Sequence, residues 1–204
     1  MKSRLLAFAA MALALTTPSH DALAVKVAPE PEQMAAPAIV TVRKGMTWGA
    51  GARLSADPKV VFVSCHGRPT IDGHGCDAYR GDTACSVKLP VLCLAVDGRS
   101  RPDGIETPPS GGVMQAGFYS GWAQGRVALA PAVRGDAFER RSDANAWCAA
   151  KLGAGWRVAE HHDSVGTDGA HGGWGLVANG RIRDDARFWV AINDTAANCW
   201  DASR

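Results

Sequence analysis

Short apolar runs separated by clusters of glycine, aspartate and proline dominate this chain of 204 residues, and they predict a strand-rich protein. Residues 59–65 (KVVFVSC) and 88–96 (KLPVLCLAV) are apolar at successive positions, which is typical of buried strands. Residues 117–133 indicate one or two further strands around a glycine-rich turn, after a long loop over 97–112. No long helix is predicted before residue 140.

One segment, residues 142–152 (SDANAWCAAKL), is predicted to form the main helix because its apolar residues recur at helical spacing. Ser142 or Asp143 can cap its first turn, and Gly153 occupies the position after the helix where glycine is favoured. We expect Cys148 to lie near the buried face of this helix.

Three shorter segments follow the helix. Residues 155–163 (GWRVAEHHD) predict a short strand, and the Asn-Gly pair at 179–180 predicts a hairpin with a type I′ turn. Residues 187–194 (RFWVAIND) predict the last strand, in which Phe188 and Trp189 begin two apolar rows on opposite faces. Since both rows are apolar, we expect this strand to be central and covered on both sides.

The first 24 residues have the pattern of a secretory signal peptide. Lys2 and Arg4 precede an apolar run, 5–15, which is shorter than the roughly 20 residues that a helix needs to span a bilayer. A small-residue cleavage site (Ala-Leu-Ala) follows at 22–24, and a flexible leader rich in alanine and proline is predicted over 25–40. The chain is therefore predicted to be exported to the periplasm, the cell surface or the medium.

The charge of the remaining chain gives little indication of its partner. Removing Lys2, Arg4 and Asp21 from the 22 basic and 20 acidic residues leaves a net charge of about +1. Such a balance favours no nucleic-acid partner. No later stretch is apolar enough to predict a membrane span.

All six cysteines follow the predicted signal peptide, and an even number in an exported chain predicts disulfides. Their spacing lacks the C-x2-C pattern typical of a zinc site. Four of them fall within residues 65–93 and can pair among themselves, which leaves Cys148 and Cys199 as a pair by elimination. We predict the bonds Cys65–Cys93, Cys76–Cys85 and Cys148–Cys199. A sequential arrangement of the first four, Cys65–Cys76 and Cys85–Cys93, stays open as the alternative.

Two motifs in the last third of the chain resemble the C-type lectin-like domain. Residues 144–162 (ANAWCAAKLGAGWRVAEHH) are similar to the opening of that domain, where a helix with a half-cystine leads through a glycine-rich turn into a short apolar segment. Residues 188–194 (FWVAIND) look like the strand in which that family carries Trp-Gly-Leu-Asn-Asp. The resemblance covers roughly residues 136–200, and it also implies that Cys199 pairs with Cys148.

These observations predict an α+β fold that is strand-rich and disulfide-bonded. Residues 41–135 form a disulfide-bonded β-rich region, and residues 136–204 form a lectin-like region in which the helix 142–152 packs on an antiparallel sheet. Alternatively, residues 41–204 form one domain.

Candidate binding residues are aromatic or rich in oxygen. Trp faces stack well on sugar rings, and Trp122 and Trp174 are flanked by glycine, so they are the candidate ligand contacts. His161 and His162 are adjacent, so on a strand they point to opposite faces and do not readily share one metal ion. No cofactor is predicted; calcium is the alternative, because carboxylate and amide oxygens suit it. The candidate calcium ligands are Asp184, Asp185, Asn193 and Asp194.

Together, these features predict an exported binding or adhesion module, with a glycan or a surface protein as its partner. The alternatives are a structural component of a cell-surface or envelope assembly and a secreted hydrolase with an unrecognised site. The sequence has no Gly-x-Ser-x-Gly nucleophile motif, and no catalytic residue is predicted from it.

Overall fold

The computed structural model describes residues 41–67, 75–105 and 116–200, which all belong to one unit, Val40–Arg204. The predicted signal peptide (1–24) and leader (25–40) lie outside the described residues. The regions predicted as 41–135 and 136–204 contribute strands to the same sheet.

Strands make up most of the regular structure of the described residues, and one main helix accompanies them, as the apolar pattern predicts. A short second helix, Ala116–Ser120, was not predicted, because the pattern assigned residues 117–133 to strands. The 88–96 strand and the main helix lie where they are expected, within one residue. Among the described residues, neither helix is long and apolar enough to cross a membrane. The strands are β1 (Lys44–Gly45), β2 (Thr47–Ala50), β3 (Val60–Ser64), β4 (Thr83–Ala84), β5 (Lys88–Val96), β6 (Trp122–Arg134), β7 (Arg157–Val158), β8 (Gly175–Gly180) and β9 (Arg187–Trp189). The helices are α1 (Ala116–Ser120) and α2 (Arg141–Leu152), with a 3-10 turn at Gly135–Ala137 between β6 and α2.

Six strands pair in a closed ring, in the order β5, β6, β8, β3, β2 and β9, with β9 returning to β5. The longest ladder joins β5 to β6, from Lys88 opposite Arg134 to Val96 opposite Gly125. The pairs β6–β8 and β5–β9 are parallel, so the sheet is mixed, whereas an antiparallel sheet is the sequence prediction. Parallel pairing requires long crossover connections, and the chain between β5 and β9, which contains α2, provides one.

The closed sheet separates two buried apolar layers, and alternation along β5 and β9 assigns residues to them. The layer inside the ring contains Leu92, Leu94, Phe188, Val190 and Ile192, together with Trp48 and Leu176. The outer layer contains Val91, Cys93, Trp189 and Ala191 and is covered by Ala144 and Cys148 of α2. This arrangement confirms the prediction that the last strand is central and apolar on both faces.

A buried arginine fixes the start of β9. Arg187 is 4% exposed, and its Nε donates to Thr47 Oγ1 at 2.7 Å. Its Nη2 donates to the carbonyl oxygens of Thr47 and Cys65. These bonds connect β9 to β2 and to the end of β3, because a buried guanidinium is stable only when its N–H groups have acceptors.

The hairpin predicted at 179–180 does not form. Asn179 and Gly180 lie inside β8, where Asn179 pairs with Val60 of β3 and Gly180 pairs with Val127 of β6. Pairing with strands on both sides outweighs the local turn preference of the Asn-Gly sequence.

The structure contains the disulfides Cys65–Cys76, Cys85–Cys199 and Cys93–Cys148, so the predicted pairs Cys65–Cys93, Cys76–Cys85 and Cys148–Cys199 are wrong. The prediction required β3 and β5 to be neighbours, but β8 and β6 separate them on one side and β2 and β9 on the other. Cys93 faces the outer layer and meets Cys148 of α2, with 5.8 Å between the Cα atoms. Of the sequential alternative, Cys65–Cys76 is confirmed and Cys85–Cys93 is wrong.

The Cys85–Cys199 bond holds the segment after β9 against the beginning of the sheet. Met46 N–H donates to the Ala197 carbonyl at 2.7 Å, and the Arg43 guanidinium donates to the Cys199 carbonyl. Gly45 and Gly135 flank the bond so closely that a Cβ on either would lie 2.5 Å from Cys199 Sγ. A side chain at either glycine would therefore displace the disulfide.

We expect the loss of the Cys85–Cys199 bond to destabilise the protein more than the loss of the Cys65–Cys76 bond. The two bonds join residues 114 and 11 positions apart. The chain-entropy account of disulfides then gives roughly 5 and roughly 3 kcal/mol. The free energy of unfolding in urea, measured for Cys85→Ser/Cys199→Ser and for Cys65→Ser/Cys76→Ser, compares them directly. Equal losses, or a larger loss in the second variant, would contradict this order.

Candidate functional site

A cleft of about 850 Å³ lies between the first turn of α2 and the segment that follows β9. Three parts of the chain meet there: the residues before β1, the start of α2, and residues 192–200. We call it the arginine cleft, since three of its lining residues are arginines. Its lining consists of Arg43, Arg140, Arg141, Ser142, Ile192, Asn193, Asp194, Thr195, Ala196, Asn198 and Trp200.

The first turn of α2 positions two of these arginines. Asp143 Oδ2 accepts the backbone N–H of Arg140 at 3.0 Å, which fixes the chain as it enters the helix. Asp143, which the sequence suggested as a cap, therefore acts from within the first turn. The Arg141 guanidinium donates to Asn193 Oδ1 and so connects α2 with the opposite wall of the cleft.

Three of the four uncharged polar side chains in the described lining hold the wall of the cleft in place, and the fourth is Ser142. Asn198 Oδ1 accepts the Ile192 N–H at 3.0 Å, and its Nδ2 donates to the Ile192 carbonyl. Thr195 Oγ1 donates to the Ala78 carbonyl at 2.5 Å. Because Asn193 accepts from Arg141, three neutral side chains of the lining have structural partners. The polar groups that remain for a ligand in the cleft are therefore mainly the guanidinium groups of the arginines.

The charge of the cleft is positive. Among the described residues of the lining, three arginines face one carboxylate, that of Asp194, which gives these residues a formal charge of +2. None of the ion pairs formed among the described residues involves Arg140. Positive side chains at a helix N-terminus oppose the helix dipole, an arrangement that costs roughly 0.3–1 kcal/mol per charge. Residues that lower the stability of their own helix in this way are typical of functional sites.

His162 holds Asp194, which is the one carboxylate among the described residues that line the cleft. Its Nδ1 lies 2.9 Å from the Gly172 carbonyl oxygen and its Nε2 lies 3.1 Å from Asp194 Oδ2. Because both partners are acceptors, the ring satisfies both only when both nitrogens carry a proton. Burial lowers the pKa of His162, but the bonds to Gly172 and Asp194, together with the charges of Glu160 and Asp194, raise it overall.

Glu160 lies behind this pair and is 6% exposed. Its Oε2 accepts the backbone N–H of His162 at 2.9 Å. Burial raises the pKa of the Glu160 carboxyl, against the favourable charges of His162 and Arg141. Glu160 thus supports the cleft from the side of the sheet.

His161 points into the core instead. It is 3% exposed, and its Nε2 accepts the backbone N–H of Trp174 at 3.2 Å. Burial, and secondarily the charge of His162, lowers the pKa of His161 to about 4. The adjacent histidines therefore have separate roles, one in the core and one at the cleft.

The two tryptophans predicted as ligand contacts lie outside the arginine cleft and apart from each other. Trp122 is 4% exposed, and its indole N–H donates to the Arg99 carbonyl at 2.7 Å. Trp174 is partly buried beside the Cys65 loop, where it stacks on His66 with 5.5 Å between ring centroids.

The four candidate calcium ligands are not brought together. Asp185 pairs with Arg183 at 2.7 Å, and Asp184 lines a separate pocket with Arg53 and Arg181. Asn193 and Asp194 instead lie in the arginine cleft. Across the described parts of the chain, no group of three or more His, Cys, Asp or Glu side chains is arranged to hold a metal ion.

No protein-family model, no curated protein and no solved structure matches this chain. The functional interpretation therefore depends on the cleft itself. Arg43, Arg140, Arg141 and Trp200 are not among the site residues predicted from the sequence. One signal was available: the Arg-Arg pair at 140–141 lies at the N-terminus of α2, where acidic residues are favoured.

We expect acid to destabilise the fold through His161. The folded pKa of about 4 lies below the ordinary value of 6.5, so the unfolded chain binds a proton in this interval and the folded chain does not. Stability from this group is therefore present above pH 6.5 and is lost as the pH falls toward 4, by at most about 3 kcal/mol. Urea unfolding at pH 7 and pH 4.5 should show a smaller acid loss in His161→Gln than in the parent. The exposed His171→Gln is the control, and an unchanged acid loss in His161→Gln would contradict the assignment.

Proposed function

We propose that this protein is an exported binding module that takes a small anionic ligand in the arginine cleft. One observation carries the proposal: Arg43, Arg140 and Arg141 converge on a single cleft of about 850 Å³. That volume lies within the range of small-molecule sites. Guanidinium groups form strong, charge-assisted hydrogen bonds with carboxylates and phosphates.

Export is supported by sequence and by chemistry. The signal-peptide pattern of residues 1–24 directs the chain out of the cytoplasm. Three disulfides suit an oxidising compartment. The resemblance of residues 136–200 to C-type lectin-like domains supports a binding role, and this region supplies most of the cleft lining.

The contacts of the cleft favour an anion over a neutral sugar. A neutral sugar is recognised through side chains that both donate and accept hydrogen bonds, and usually through an exposed aromatic face. Asn193 and Asn198 are already engaged, and Trp200 is 1% exposed. A carbohydrate ligand of this cleft would therefore be an acidic one.

A neutral-glycan surface around Trp174 is the second candidate. Tyr79 lies edge-on to Trp174, with 5.9 Å between the ring centroids, and is 64% exposed. Binding to neutral glycans that is lost in Tyr79→Ala, and retained in Arg140→Gln, would favour this surface.

We expect Arg140→Gln to weaken anion binding by about ten- to a hundredfold. A hydrogen bond to a charged group contributes roughly 1.5–3 kcal/mol, and Arg140 has no competing ion pair among the described residues. Isothermal titration calorimetry with phosphate, sulfate, malonate and acetate measures the loss. The control is Arg181→Gln, an exposed arginine outside the cleft. An equal loss in both variants, or no anion binding in the parent, would refute the proposal.

A further inference from the structure

The carboxylate of Asp194 decides how far the arginines of the cleft are available to a ligand. Asp194 lines the arginine cleft together with Arg43, Arg140 and Arg141, and its side chain is 59% exposed. A carboxylate that pairs with a guanidinium group occupies the place of an anionic ligand. Among the described residues, the ion pair of Asp194 is made with His162 instead, at 3.1 Å between Oδ2 and Nε2.

The bond between His162 and Asp194 depends on the protonation of the imidazole ring. Nδ1 lies 2.9 Å from the Gly172 carbonyl oxygen, while Nε2 faces the carboxylate. A carbonyl and an ionised carboxylate only accept hydrogen bonds. A neutral ring has one N–H, so it can donate to one of these partners and turns a lone pair toward the other. The loss of one proton therefore breaks one of the two bonds.

The bond to Asp194 is the weaker of the two once the ring is neutral. The Gly172 carbonyl belongs to a backbone that is held in place, because the Gly172 N–H donates to the Ser164 carbonyl at 2.8 Å. The His162 backbone is held as well, since its N–H donates to Glu160 Oε2 at 2.9 Å. Asp194, by contrast, is an exposed side chain that can change rotamer. The neutral ring consequently keeps its proton on Nδ1 and releases Asp194.

The surroundings of His162 favour the charged ring. Burial lowers the pKa of His162, but its bonds to Gly172 and Asp194, together with the charges of Glu160 and Asp194, raise it above the ordinary value of 6.5. The ring therefore loses its proton on the alkaline side of pH 6.5. The charged and titratable groups around His162 come from three parts of the chain: Glu160, His161, Asp163 and its partner Arg157 next to it, Asp194 after β9, and Arg141 at the start of α2.

We infer that His162 is a positioning residue of the arginine cleft: its imidazolium holds the Asp194 carboxylate apart from the arginines, and its deprotonation releases Asp194 to compete with the anionic ligand. This inference rests on the proposed function, because it concerns the regulation of anion binding at the same site. Anion affinity is highest in mildly acidic solution and falls as His162 loses its proton. An exported protein meets the pH of its surroundings, so the cleft binds its ligand in acid and releases it in alkali.

Calorimetry at low salt between pH 6 and pH 9 tests this inference. The probes are sulfate and oxalate, because both stay divalent throughout that range. We expect the affinity of the parent for each probe to fall about three- to tenfold, which is the effect of removing one positive charge several ångströms from a divalent anion.

A histidine variant shows which group causes the pH dependence. His162→Gln keeps an N–H donor for the Gly172 carbonyl and has no charge to lose, so its affinity should stay within about twofold from pH 6 to pH 9. His171→Gln, at an exposed histidine outside the described lining, is the matched control and should keep the parental pH dependence. A pH dependence that persists in His162→Gln belongs to another group, such as Glu160, and overturns the inference.

An aspartate variant distinguishes positioning from a purely structural role. Asp194→Asn should bind sulfate about three- to tenfold more tightly than the parent at pH 9, because no carboxylate is then released among the arginines. A residue that only supported the wall of the cleft would give the opposite result. Unchanged or weaker binding in Asp194→Asn at pH 9 would contradict the inference.

Nuclear magnetic resonance of the parent protein gives a test that requires no variant to fold. Binding and protonation are linked, so sulfate should raise the pKa of the His162 ring, followed through its ring proton signals. A pKa of His162 that sulfate leaves unchanged would overturn the inference.

The failure of this inference differs from the failure of the proposed function. If both probes bind, and Arg140→Gln weakens them, but the affinity of the parent is constant from pH 6 to pH 9, the cleft is an anion site that His162 does not control. If neither probe binds, or if binding is independent of Arg140, the anion site itself is wrong and the inference is wrong with it.

Discussion

Strand β9 hydrogen-bonds to β2 on one side and to β5 on the other, and this double pairing closes the ring of six strands. A strand with partners on both edges and packing on both faces must be apolar throughout, and residues 188–192 satisfy that requirement. The exception is Arg187, which is buried and satisfied by oxygens of β2 and of the Cys65 loop. Without β9, β2 would be an exposed sheet edge, and β5 would keep only the short strand β7 beside β6.

The closure by β9 also decides where the cleft forms. The chain leaves β9 at one end of the ring and runs beside residues 43–46, where the Met46–Ala197 hydrogen bond and the Cys85–Cys199 disulfide hold it. The bond Cys93–Cys148 fixes α2 on the outer face of β5. The Cys93–Cys148 bond therefore fixes the wall of the arginine cleft that α2 forms, and the Cys85–Cys199 bond fixes the wall formed by the segment after β9.

The sequence predicted those elements whose pattern is local. β5, α2 and the two faces of β9 can each be predicted from the spacing of apolar residues within a stretch of about ten residues. Disulfide pairing was not local, because it depends on which strands are neighbours, and the ring places two strands between β3 and β5 on either side. The Asn-Gly hairpin failed for a related reason, since pairing partners from distant parts of the chain outweighed the turn preference.

The sequence patterns did not predict the cleft, because it too is formed by residues from distant parts of the chain. Arg43 and Trp200 lie at opposite ends of the described chain, and each alone has an ordinary structural explanation. The aromatic residues that the sequence favoured, Trp122 and Trp174, instead contact backbone and side chains of the fold. Only the 140–141 arginine pair broke a local rule, because its charge opposes the helix dipole.

Disulfide mapping of the oxidised protein tests this account most directly, because the position of Cys199 decides whether the segment after β9 forms a wall of the cleft. Digestion under non-reducing conditions, followed by mass spectrometry, should recover Cys199 linked to Cys85 and Cys148 linked to Cys93. Recovery of Cys199 linked to Cys148 would contradict the account, since it would place that segment on α2 and remove the cleft.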